Sequence, residues 1–462
     1  MNQNPPSNAN IDLKTIVDYC RRKGFVYPSS EIYGGYSATY DFGPLGTLLK
    51  QNLITAWRDW MVNYRTDTVE IEGAIFLHPN VWKASGHIDG FSDPLCEDLV
   101  TNKRYRADHL LEEAGIVADA GGLDLAEINT LLEKHNLKSI DGNPLSPAKS
   151  FNLLVKTHLG PVENENSIAY LKGESCQNIY VNWKSIQETT RRKLPFGVAQ
   201  LGKAFRNEIT TKQFLFRTRE FEQIDMQYFV KPGTHKDSFN YWKDYRYQFY
   251  TQFLGYKSEN LSWHQHGEKE LVFYATEAWD IYYNFGKMGP KEMEGIHNRT
   301  DYDTRVHGEL SGQDLTYFDP VDNSRYLPFI VEMSLGVNRL FLSSLFEFYT
   351  EELMENGETR VVLKFPVKLA PYKFAVLPLM KKDGLSDLGN EIYLNLRKMG
   401  ISTDFDESGS IGKRYRRQDE NGTVFCICVD YQSKEDGTVT VRSRDTMKQE
   451  RVLISDLSDL LK

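Results

Sequence analysis

The chain has 462 residues, of which 40% are hydrophobic and 26% are charged, and its formal net charge is -9. This length favours two or three domains over a single core, and the apolar content excludes a chain that is disordered by composition. The negative charge argues against a protein that binds nucleic acid through whole-chain attraction to phosphate, although it leaves room for a local basic surface.

The cysteines and the N-terminus indicate a compartment. The chain has no CxxC pair, so neither a disulfide framework nor a zinc ribbon is predicted. Residues 1–10 are polar and lack the apolar stretch of a secretory signal. The sequence contains no run of about 18 apolar residues, so no membrane span is expected. We therefore expect a cytoplasmic protein whose residues 1–10 form a loose tail. The five cysteines are Cys20, Cys96, Cys176, Cys426 and Cys428.

Two helices are predicted in the N-terminal region. Apolar residues recur at helical spacing over 11–24, which predicts a short helix. The segment 40–46 contains Pro44, whose fixed φ suits a turn or the first turn of a helix. The residues that follow, 47–63, have a strongly amphipathic helical pattern.

An insertion is predicted at about 92–155, inside a larger domain that spans 11–355. Two acidic stretches within it, 108–117 and 124–136, have helical character, and the glycine pair at 121–122 separates them. The composition of this stretch differs from that of the rest of the domain.

Strand patterns dominate the chain after the insertion. Residues 151–230 are dense in β-branched and aromatic side chains, with a sharp alternation over 214–230. An aromatic helix is predicted over 238–254. Short strand-like runs over 271–340 then end at a helix that begins near Gly336.

The C-terminal region, about 360–462, predicts a separate α/β domain because strand and helix patterns alternate along it. The predicted strands are 361–363, 374–377, 402–405, 424–429 and 438–441. The predicted helices are 384–399, 410–419 and 455–462.

Chemistry is concentrated in two stretches, 202–208 and 217–225, on either side of a short polar turn at 210–213. The simplest geometry is two strands joined by a tight loop, with alternation placing five side chains of the second strand on one face. Arginines beside a ring and a carboxylate make a poor core. They make a good nucleotide site, because guanidinium groups hold phosphate oxygens and a flat ring stacks on a base. The five side chains are Arg217, Arg219, Phe221, Gln223 and Asp225.

A second informative stretch runs over 329–339. It reads as an apolar strand that carries Glu332, then a turn at Gly336, then a helix with Arg339 in its first turn. The N-terminus of a helix offers free N–H groups and a positive dipole end, which suit a phosphate group.

These residues resemble known motifs. Arg206–Glu208, followed after a loop by Arg217–Asp225, resembles motif 2 of the class II aminoacyl-tRNA synthetases, and Gly336-x-x-Arg339 resembles motif 3. The helix after Pro44 is similar to motif 1, which builds the dimer interface in that family. The resemblance covers roughly 11–462. Six stretches look like the dimeric glycyl-tRNA synthetases in particular: 40–45, 82–90, 202–223, 298–303, 369–372 and 404–419.

The resemblance implies an α+β fold, with an antiparallel-sheet catalytic domain that carries a helical insertion and a C-terminal α/β anticodon-binding domain. It implies ATP and Mg²⁺ as cofactors, glycine and tRNA(Gly) as partners, and a homodimer. The insertion lacks the cysteine pairs that some relatives carry, so no structural zinc is expected.

The ATP site is carried over from the family residue by residue. Arg206 would contact the α-phosphate and Arg217 the γ-phosphate. Phe221 and Arg339 would stack on the two faces of adenine, and Glu208 would face its amino group. Arg206 and Arg339 are therefore the expected catalytic residues. The other ATP-site positions are Glu292, which would help hold the ATP–magnesium unit, and Asn207, Phe216, Arg219, Met293 and Gly336.

A glycine pocket should be small and acidic toward the ammonium group, and it should reject larger amino acids by volume. By resemblance, Arg299 would pair with the glycine carboxylate, and Arg106 and Phe221 would lie close to the substrate. The chain departs from the usual family residues at 172–178, which reads Lys-Gly-Glu-Ser-Cys-Gln-Asn, and at Asp225, where Glu is more usual. The positions matched to the ammonium are Glu174, Asp225, Glu332 and Ser334.

The C-terminal domain carries its densest basic patch at 413–417, where backbone phosphates of tRNA are the expected partners. The candidate side chains are Lys413, Arg414, Arg416 and Arg417.

Other interpretations remain open from the sequence. Ser175, Cys176 and Asp225 also suit a class II synthetase that selects alanine or serine. A non-catalytic RNA-binding paralogue is the second alternative. Glu332 could instead be a structural charge paired with an arginine. His264 and His266 resemble a metal-binding pair, but a third ligand is not evident, so a structural or surface role is favoured.

Overall fold

The computed structural model describes residues 8–117, 120, 123–209, 213–267, 270–272 and 274–461. Helices occur in every part of the chain. They are α1 (Leu13–Lys23), α2 (Pro44–Arg58), α3 (Pro79–Ala84), α4 (His87–Gly90), α5 (Ala107–Glu113), α6 (Leu125–Lys134), α7 (Gln177–Val181), α8 (Trp183–Thr190), α9 (His235–Gln248), α10 (Tyr302–Ser311), α11 (Val337–Phe348), α12 (Leu385–Lys398), α13 (Ile411–Asn421) and α14 (Tyr431–Asp436).

The strands pair mainly in antiparallel fashion. They are β1 (Val26–Pro28), β2 (Tyr40–Phe42), β3 (Thr68–Ile71), β4 (Phe76–Leu77), β5 (Ser92–Glu97), β6 (Arg104–Arg106), β7 (Lys149–Asn152), β8 (Val155–His158), β9 (Ile168–Leu171), β10 (Phe196–Phe205), β11 (Glu220–Val230), β12 (Leu261–Gln265), β13 (Glu277–Asn284), β14 (Pro290–Thr300), β15 (Tyr317–Asp319), β16 (Ser324–Tyr326), β17 (Phe329–Gly336), β18 (Tyr349–Leu353), β19 (Thr359–Leu363), β20 (Phe374–Pro378), β21 (Thr403–Phe405), β22 (Phe425–Val429), β23 (Thr438–Ser443) and β24 (Gln449–Leu453).

The central element is a seven-stranded sheet in the order β12-β13-β14-β17-β11-β10-β3. All its neighbours are antiparallel except β10 and β3, which run parallel. Side chains alternate across such strands. On β11, Ile224 and Met226 enter the main apolar core, whereas Asp225 points to the opposite face. On β17, Met333 and Leu335 belong to the same core. The sheet therefore has one apolar face and one polar face.

Helices cover the apolar face. Helices α9 and α11 pack on strands β11, β14 and β17, and α2 packs on α11. Helix α2 begins at Pro44, as predicted, and buries Leu49 and Leu53. Gly46 is required there, because a Cβ atom at this position would lie 1.8 Å from the carbonyl oxygen of Phe25. The π-helical segments 59–63 and 249–254 continue α2 and α9, so the predicted helices over 47–63 and 238–254 are confirmed.

The helices predicted within the insertion are found as α5 and α6. They share a small core with the three-stranded sheet β6-β5-β7, separate from the main core. Asp124 and Glu127 form a capping box that fixes the start of α6. The predicted break at 121–122 lies outside the described residues.

The C-terminal region forms a five-stranded mixed sheet in the order β21-β20-β22-β23-β24, with the predicted helices present as α12 and α13. The predicted strand 361–363 is present, but it does not belong to this sheet. Val361–Leu363 lies in β19, which pairs with β18 in a separate hairpin and takes no part in this sheet. The prediction also missed β24, and 454–461 forms a 3₁₀-helix.

Two local predictions were wrong. The alternating pattern over 214–230 predicted a strand along its whole length, but the strand begins only at Glu220, because 214–216 forms a 3₁₀ turn. The connection between β10 and β11 is therefore the long segment 206–219 and not a tight loop, and residues 210–212 within it lie outside the described residues. In the expected tail, Asn8 is buried and its amide donates to Tyr283 and Asn284. The rest of the tail, residues 1–7, lies outside the described residues.

Among the described residues, no helix combines the length and the apolar character needed to cross a bilayer.

Candidate active site

The polar face of the central sheet carries the candidate site. Ser334 on β17 lies between Asp225 on β11 and Gly295 on β14. Two residues away on β17, Glu332 lies opposite His297 of β14. Strand register therefore brings residues from three distant parts of the sequence onto one surface.

This surface lines a cavity of about 240 Å³, which we call the central cavity. Twelve of the residues that the sequence predicted for the site line it. They are Glu174, Arg206, Glu208, Phe216, Arg217, Phe221, Glu292, Arg299, Glu332, Ser334, Gly336 and Arg339.

Several predicted site residues do not reach the cavity. The guanidinium of Arg219 donates to the backbone carbonyls of Glu208 and Ser37, so the expected common face with Arg217 is wrong. Met293 is 1% exposed and packs in the main core beneath the sheet. Arg106, in the insertion, pairs with Asp93 and Asp108. Asn207 donates its backbone N–H to Leu153. Asp225 is fully buried and does not itself line the cavity, although it is paired with Ser334, which does.

One end of the cavity carries the arginines. Arg206, just after β10, donates Nε–H to the carbonyl of Gly173 at 3.0 Å, and its guanidinium carbon lies 5.3 Å from the ring centroid of Phe221. Among the described residues its two Nη groups meet no acceptor. Arg217 lies 4.0 Å from the carboxylate of Glu208. Cationic groups beside an exposed ring face can receive phosphate and base together.

Arg339 lies at the same end, in the first turn of α11. Its Nη1 is 2.8 Å from Oε1 of Glu292 and donates to the Glu292 carbonyl at 3.0 Å. The guanidinium carbon lies 4.5 Å from the ring centroid of Phe216. Glu292 thus fixes the plane of a guanidinium group at the cavity wall.

The other end of the cavity is acidic. Glu332 has both oxygens occupied, since Gln227 donates to Oε1 at 2.9 Å, Arg299 to both oxygens, and His297 lies 3.0 Å from Oε2. Burial alone would raise the pKa of Glu332, but the charge of Arg299 and the bond and charge of His297 outweigh it and hold the pKa at about 2.

The guanidinium of Arg299 pairs with two protein carboxylates. It is 1% exposed, and besides Glu332 it donates to both oxygens of Asp303 at 2.7 and 2.8 Å. This geometry gives no support to the expected pairing of Arg299 with the substrate carboxylate. It matches the alternative in which Glu332 is a structural charge paired with an arginine.

Asp225 is the carboxylate with an unoccupied oxygen. Its Oδ1 accepts from Gln223 Nε2 at 3.3 Å, whereas Oδ2 has no partner within the described part of the chain. Complete burial, with the nearby charge of Glu332, raises the pKa of Asp225 to about 8. A cation placed beside Oδ2 would reverse this shift.

Glu174 is also set to receive a cation. Gln177 donates to Oε1 at 2.8 Å, the thiol of Cys176 donates to Oε1 at 3.1 Å, and His87 Nε2 lies 3.3 Å from Oε2. Burial would raise the pKa of Glu174, but His87 and Arg299 hold it well below its usual range. The carboxylate therefore stays charged at the cavity wall.

His297 also lines the cavity, although it was not among the predicted site residues. The signal for it was alternation along β14, which places His297 and Arg299 on the same face. Burial would lower the pKa of His297, but bonds to Asp280 and Glu332 raise it to about 9. His266 Nε2 lies 2.8 Å from Oδ2 of Asp280, a contact that agrees with the structural role favoured for this histidine. Among the residues that the structure describes, no group of three or more side chains is arranged to hold a metal ion.

A magnesium ion fits this site as a companion of bound phosphates. Mg²⁺ usually keeps several waters and takes one or two protein carboxylates together with phosphate oxygens. Glu292 supplies one such carboxylate at the cavity rim, with its side chain 47% exposed.

The C-terminal candidates differ in exposure. Arg414 is 3% exposed and donates to the carbonyls of Pro378 and Asp406, so its predicted contact with RNA is wrong. Arg417 pairs with the carboxylate of Asp406 at 2.7 Å. Lys413 and Arg416 line an open cleft at the surface of α13.

Known proteins match the chain over both parts. The profile of the tRNA synthetase class II core domain (G, H, P, S and T) matches residues 161–349, and that of the anticodon binding domain matches residues 373–462. Glycine–tRNA ligase of Treponema denticola is 47% identical and covers 98% of this chain and 97% of the relative. The glycine–tRNA ligases of Clostridium perfringens and Geobacillus kaustophilus are 46% and 44% identical, each with at least 97% of both chains covered.

Proposed function

The chain belongs to the glycine–tRNA ligases of the class II aminoacyl-tRNA synthetases, and on this premise we propose that its central cavity makes glycyl-adenylate from glycine and ATP and passes glycine to tRNA(Gly). The observation that carries the proposal is one cavity that is lined both by arginines beside Phe221 and by the carboxylates of Glu174 and Glu332. Neither alternative, another amino acid or a non-catalytic paralogue, gains support from the relatives.

The arginine-lined end holds ATP. Arg206 and Arg217 receive the phosphates, because both guanidinium groups line the cavity beside the ring of Phe221. Adenine lies between Phe221 and Arg339, whose guanidinium is already oriented by Glu292. Glu208, at the rim of this end, accepts a hydrogen bond from the adenine amino group.

Glu292 is the residue that would hold magnesium together with the phosphates. When bound, the ion neutralises phosphate charge and so favours attack on phosphorus. Glu292 can orient Arg339 and also hold magnesium, since Arg339 contacts only its Oε1 oxygen.

The acidic end holds glycine. Asp225 and Glu174 receive the ammonium group, since Asp225 has an oxygen without a partner and Glu174 is held charged. Ser334, fixed by Gln223 at 2.8 Å, lies between them and the nucleotide. The two carboxylates suit the free amino group of glycine, and a glycine subsite would reject larger amino acids by volume.

Positioning and charge supply the catalysis. A carboxylate oxygen of glycine attacks the α-phosphorus in line, the bond to the bridging oxygen breaks, and pyrophosphate leaves. Arg206 stabilises the charge that develops on the α-phosphoryl oxygens. A ribose hydroxyl of tRNA then attacks the carbonyl carbon of the adenylate, and AMP leaves. No protein nucleophile is needed in either step.

ATP–pyrophosphate exchange tests the choice of amino acid. We expect exchange with glycine, and we expect exchange with alanine and serine to be lower by at least about 10²-fold, because a glycine pocket rejects larger amino acids by volume. Strong exchange with alanine or serine and none with glycine would show that the amino acid is assigned wrongly. No exchange with any amino acid, together with tRNA binding, would favour a non-catalytic paralogue.

We place the tRNA anticodon on the domain 360–462, with Lys413 and Arg416 as phosphate contacts, and the catalytic residues in 11–355 with its insertion at about 92–155. Arg414 is left out of this set because it is buried, and Arg417, which lines the same cleft, is already paired with Asp406.

Replacing both Lys413 and Arg416 by alanine should weaken tRNA binding about tenfold at low salt and flatten its salt dependence, because two phosphate contacts are lost. The measurement is a filter-binding titration over a range of salt concentrations, with glycine-dependent exchange as the control for an intact catalytic site. The matched variant Arg414→Ala should instead lower the melting temperature, since its guanidinium bonds backbone carbonyls inside the domain. Unchanged tRNA affinity in the double variant would rule out this surface.

A homodimer and a cytoplasmic location complete the proposal. Apolar side chains that monomers rarely expose support the dimer: Ile32 and Tyr33 are each 87% exposed and Tyr36 is 74% exposed, all just before α2. The five cysteines are free and buried, which suits a reducing compartment.

A further inference from the structure

Two histidines support Glu174: His87 contacts it directly, and His307 contacts it through Gln177. The proposed reaction uses neither histidine. Gln177 donates Nε2–H to Glu174 Oε1 at 2.8 Å, and His87 Nε2 lies 3.3 Å from Oε2. The amide oxygen Oε1 of Gln177 lies 2.8 Å from Nε2 of His307, which is on α10. Gln177, His87 and His307 are all at most 6% exposed. We call the series His307–Gln177–Glu174 the Glu174 relay.

The direction of each bond in the relay follows from its charged end. An ionised carboxylate only accepts hydrogen bonds, so the amide nitrogen of Gln177 must face Glu174 and its oxygen must face His307. An amide oxygen also only accepts, so His307 must carry a proton on Nε2. Burial, together with the charges of Arg299 and His87, lowers the pKa of His307 to about 4, so the ring donates as a neutral imidazole.

We propose that His307 is a positioning residue for glycine binding, which acts through Gln177 to hold the Glu174 carboxylate toward the substrate ammonium. This inference rests on the proposed function. Without the donor at His307, the Gln177 amide is free to turn and present its oxygen to Glu174. Two acceptors would then repel each other, and the carboxylate would lose its orientation.

The relay is separate from the nucleotide end. Neither Gln177 nor His307 is among the residues that line the central cavity. His307 instead borders a second, mainly apolar cavity of about 200 Å³ between α3 and α10, which Leu310 also lines. The effect of the relay should therefore fall on glycine and leave ATP binding unchanged.

The substitution His307→Phe keeps the ring and removes the donor. We expect the KM for glycine in ATP–pyrophosphate exchange to rise about tenfold, with kcat and the KM for ATP within about twofold of wild type. His307→Gln, which restores an N–H donor, should recover most of the affinity. Leu310→Ala is the matched control, because it disturbs the same helix and the second cavity without touching Gln177.

A double-mutant cycle separates positioning from packing. In a Gln177→Leu background, His307→Phe should have no further effect on the KM for glycine, because the relay is already broken. Additive effects, or equal changes in the KM values for glycine and ATP, would overturn the proposal. If wild type shows no glycine exchange at all, the proposed function fails first; if wild type is active and His307→Phe is unchanged, only this inference fails.

The tautomer of His307 can be read on the wild-type protein, with His307→Gln used only to assign its resonances. In ¹⁵N-histidine-labelled protein, the resonances that disappear in His307→Gln should report a neutral ring protonated on Nε2. A ring protonated on Nδ1 would contradict the relay.

Discussion

Replacing Arg206 by alanine should reduce glycine-dependent ATP–pyrophosphate exchange by roughly 10³-fold, with tRNA affinity within about twofold of wild type. The reason is the position of this side chain at the cavity wall. Its Nε is anchored on Gly173 and its Nη groups face the cavity beside Phe221, where charge develops on the α-phosphoryl oxygens. The proposed tRNA contacts lie on α13, so tRNA affinity should not change.

Arg219 provides a matched control for this prediction. It is an arginine of the same motif, but its guanidinium bonds the carbonyls of Glu208 and Ser37 outside the cavity. Arg219→Ala should therefore lower exchange by less than about tenfold. Equal losses in the two variants, or a loss of tRNA binding in Arg206→Ala that matches the loss of exchange, would mean that Arg206 is assigned wrongly.

Replacing Asp225 by asparagine should reduce glycine-dependent exchange by about 10²-fold or more and at the same time stabilise the protein. Glycine binding needs the charged carboxylate, since the ammonium group is the cation that this buried oxygen lacks. For the same reason the KM of wild type for glycine should fall as the pH rises toward 8, where Asp225 ionises.

The effect on stability follows from the raised pKa of Asp225. In the unfolded chain the carboxyl ionises near its usual pKa of 3.8, but in the folded chain it ionises only near 8. The unfolded state therefore binds fewer protons than the folded state between these values, and this group lowers the stability of wild type progressively as pH rises from about 4 to about 8. Asparagine removes that loss, so the difference in melting temperature between variant and wild type should grow over this range and level off above it.

Asp225→Glu serves as the control, because it keeps the charge and is the usual residue of the family. We expect it to retain most of the glycine exchange and the pH dependence of stability. A variant Asp225→Asn that activates glycine normally, or that is less stable than wild type at pH 8, would contradict the account of the acidic end.

The sequence was sufficient for the residues whose function depends on a local pattern. Arg206, Phe221 and Arg339 belong to short motifs with fixed spacing, and all three line the central cavity. Fold class followed from the same motifs together with the alternation of strands and helices, as the matches to the class II core and the anticodon-binding domain confirm.

Residues that depend on register and exposure could not be predicted in this way. His297 meets Glu332 only because β14 pairs with β17 in one register, and a single-residue slip would move it to the other face. Arg219 precedes the strand, where alternation no longer applies. Arg414 was predictable in principle, since it shares the inward helical stripe of α13 with Tyr415 and Gln418.

The structure also changes the expected roles within the acidic end. Glu332 and Arg299 matched the family as substrate contacts, but here they satisfy each other, with Asp303 as a third member. Asp225 and Glu174 are the carboxylates with capacity left for an ammonium group. This distinction depends on counting hydrogen bonds at each oxygen, which a sequence does not permit.

The most direct test of the central claim is a crystal structure of the protein with glycyl sulfamoyl adenosine, a stable analogue of glycyl-adenylate. The account predicts adenine stacked between Phe221 and Arg339, the sulfamate against Arg206, and the ammonium group within about 3 Å of Asp225 Oδ2 and Glu174. An analogue bound with adenine away from Phe221, or with its ammonium group remote from both carboxylates, would contradict it.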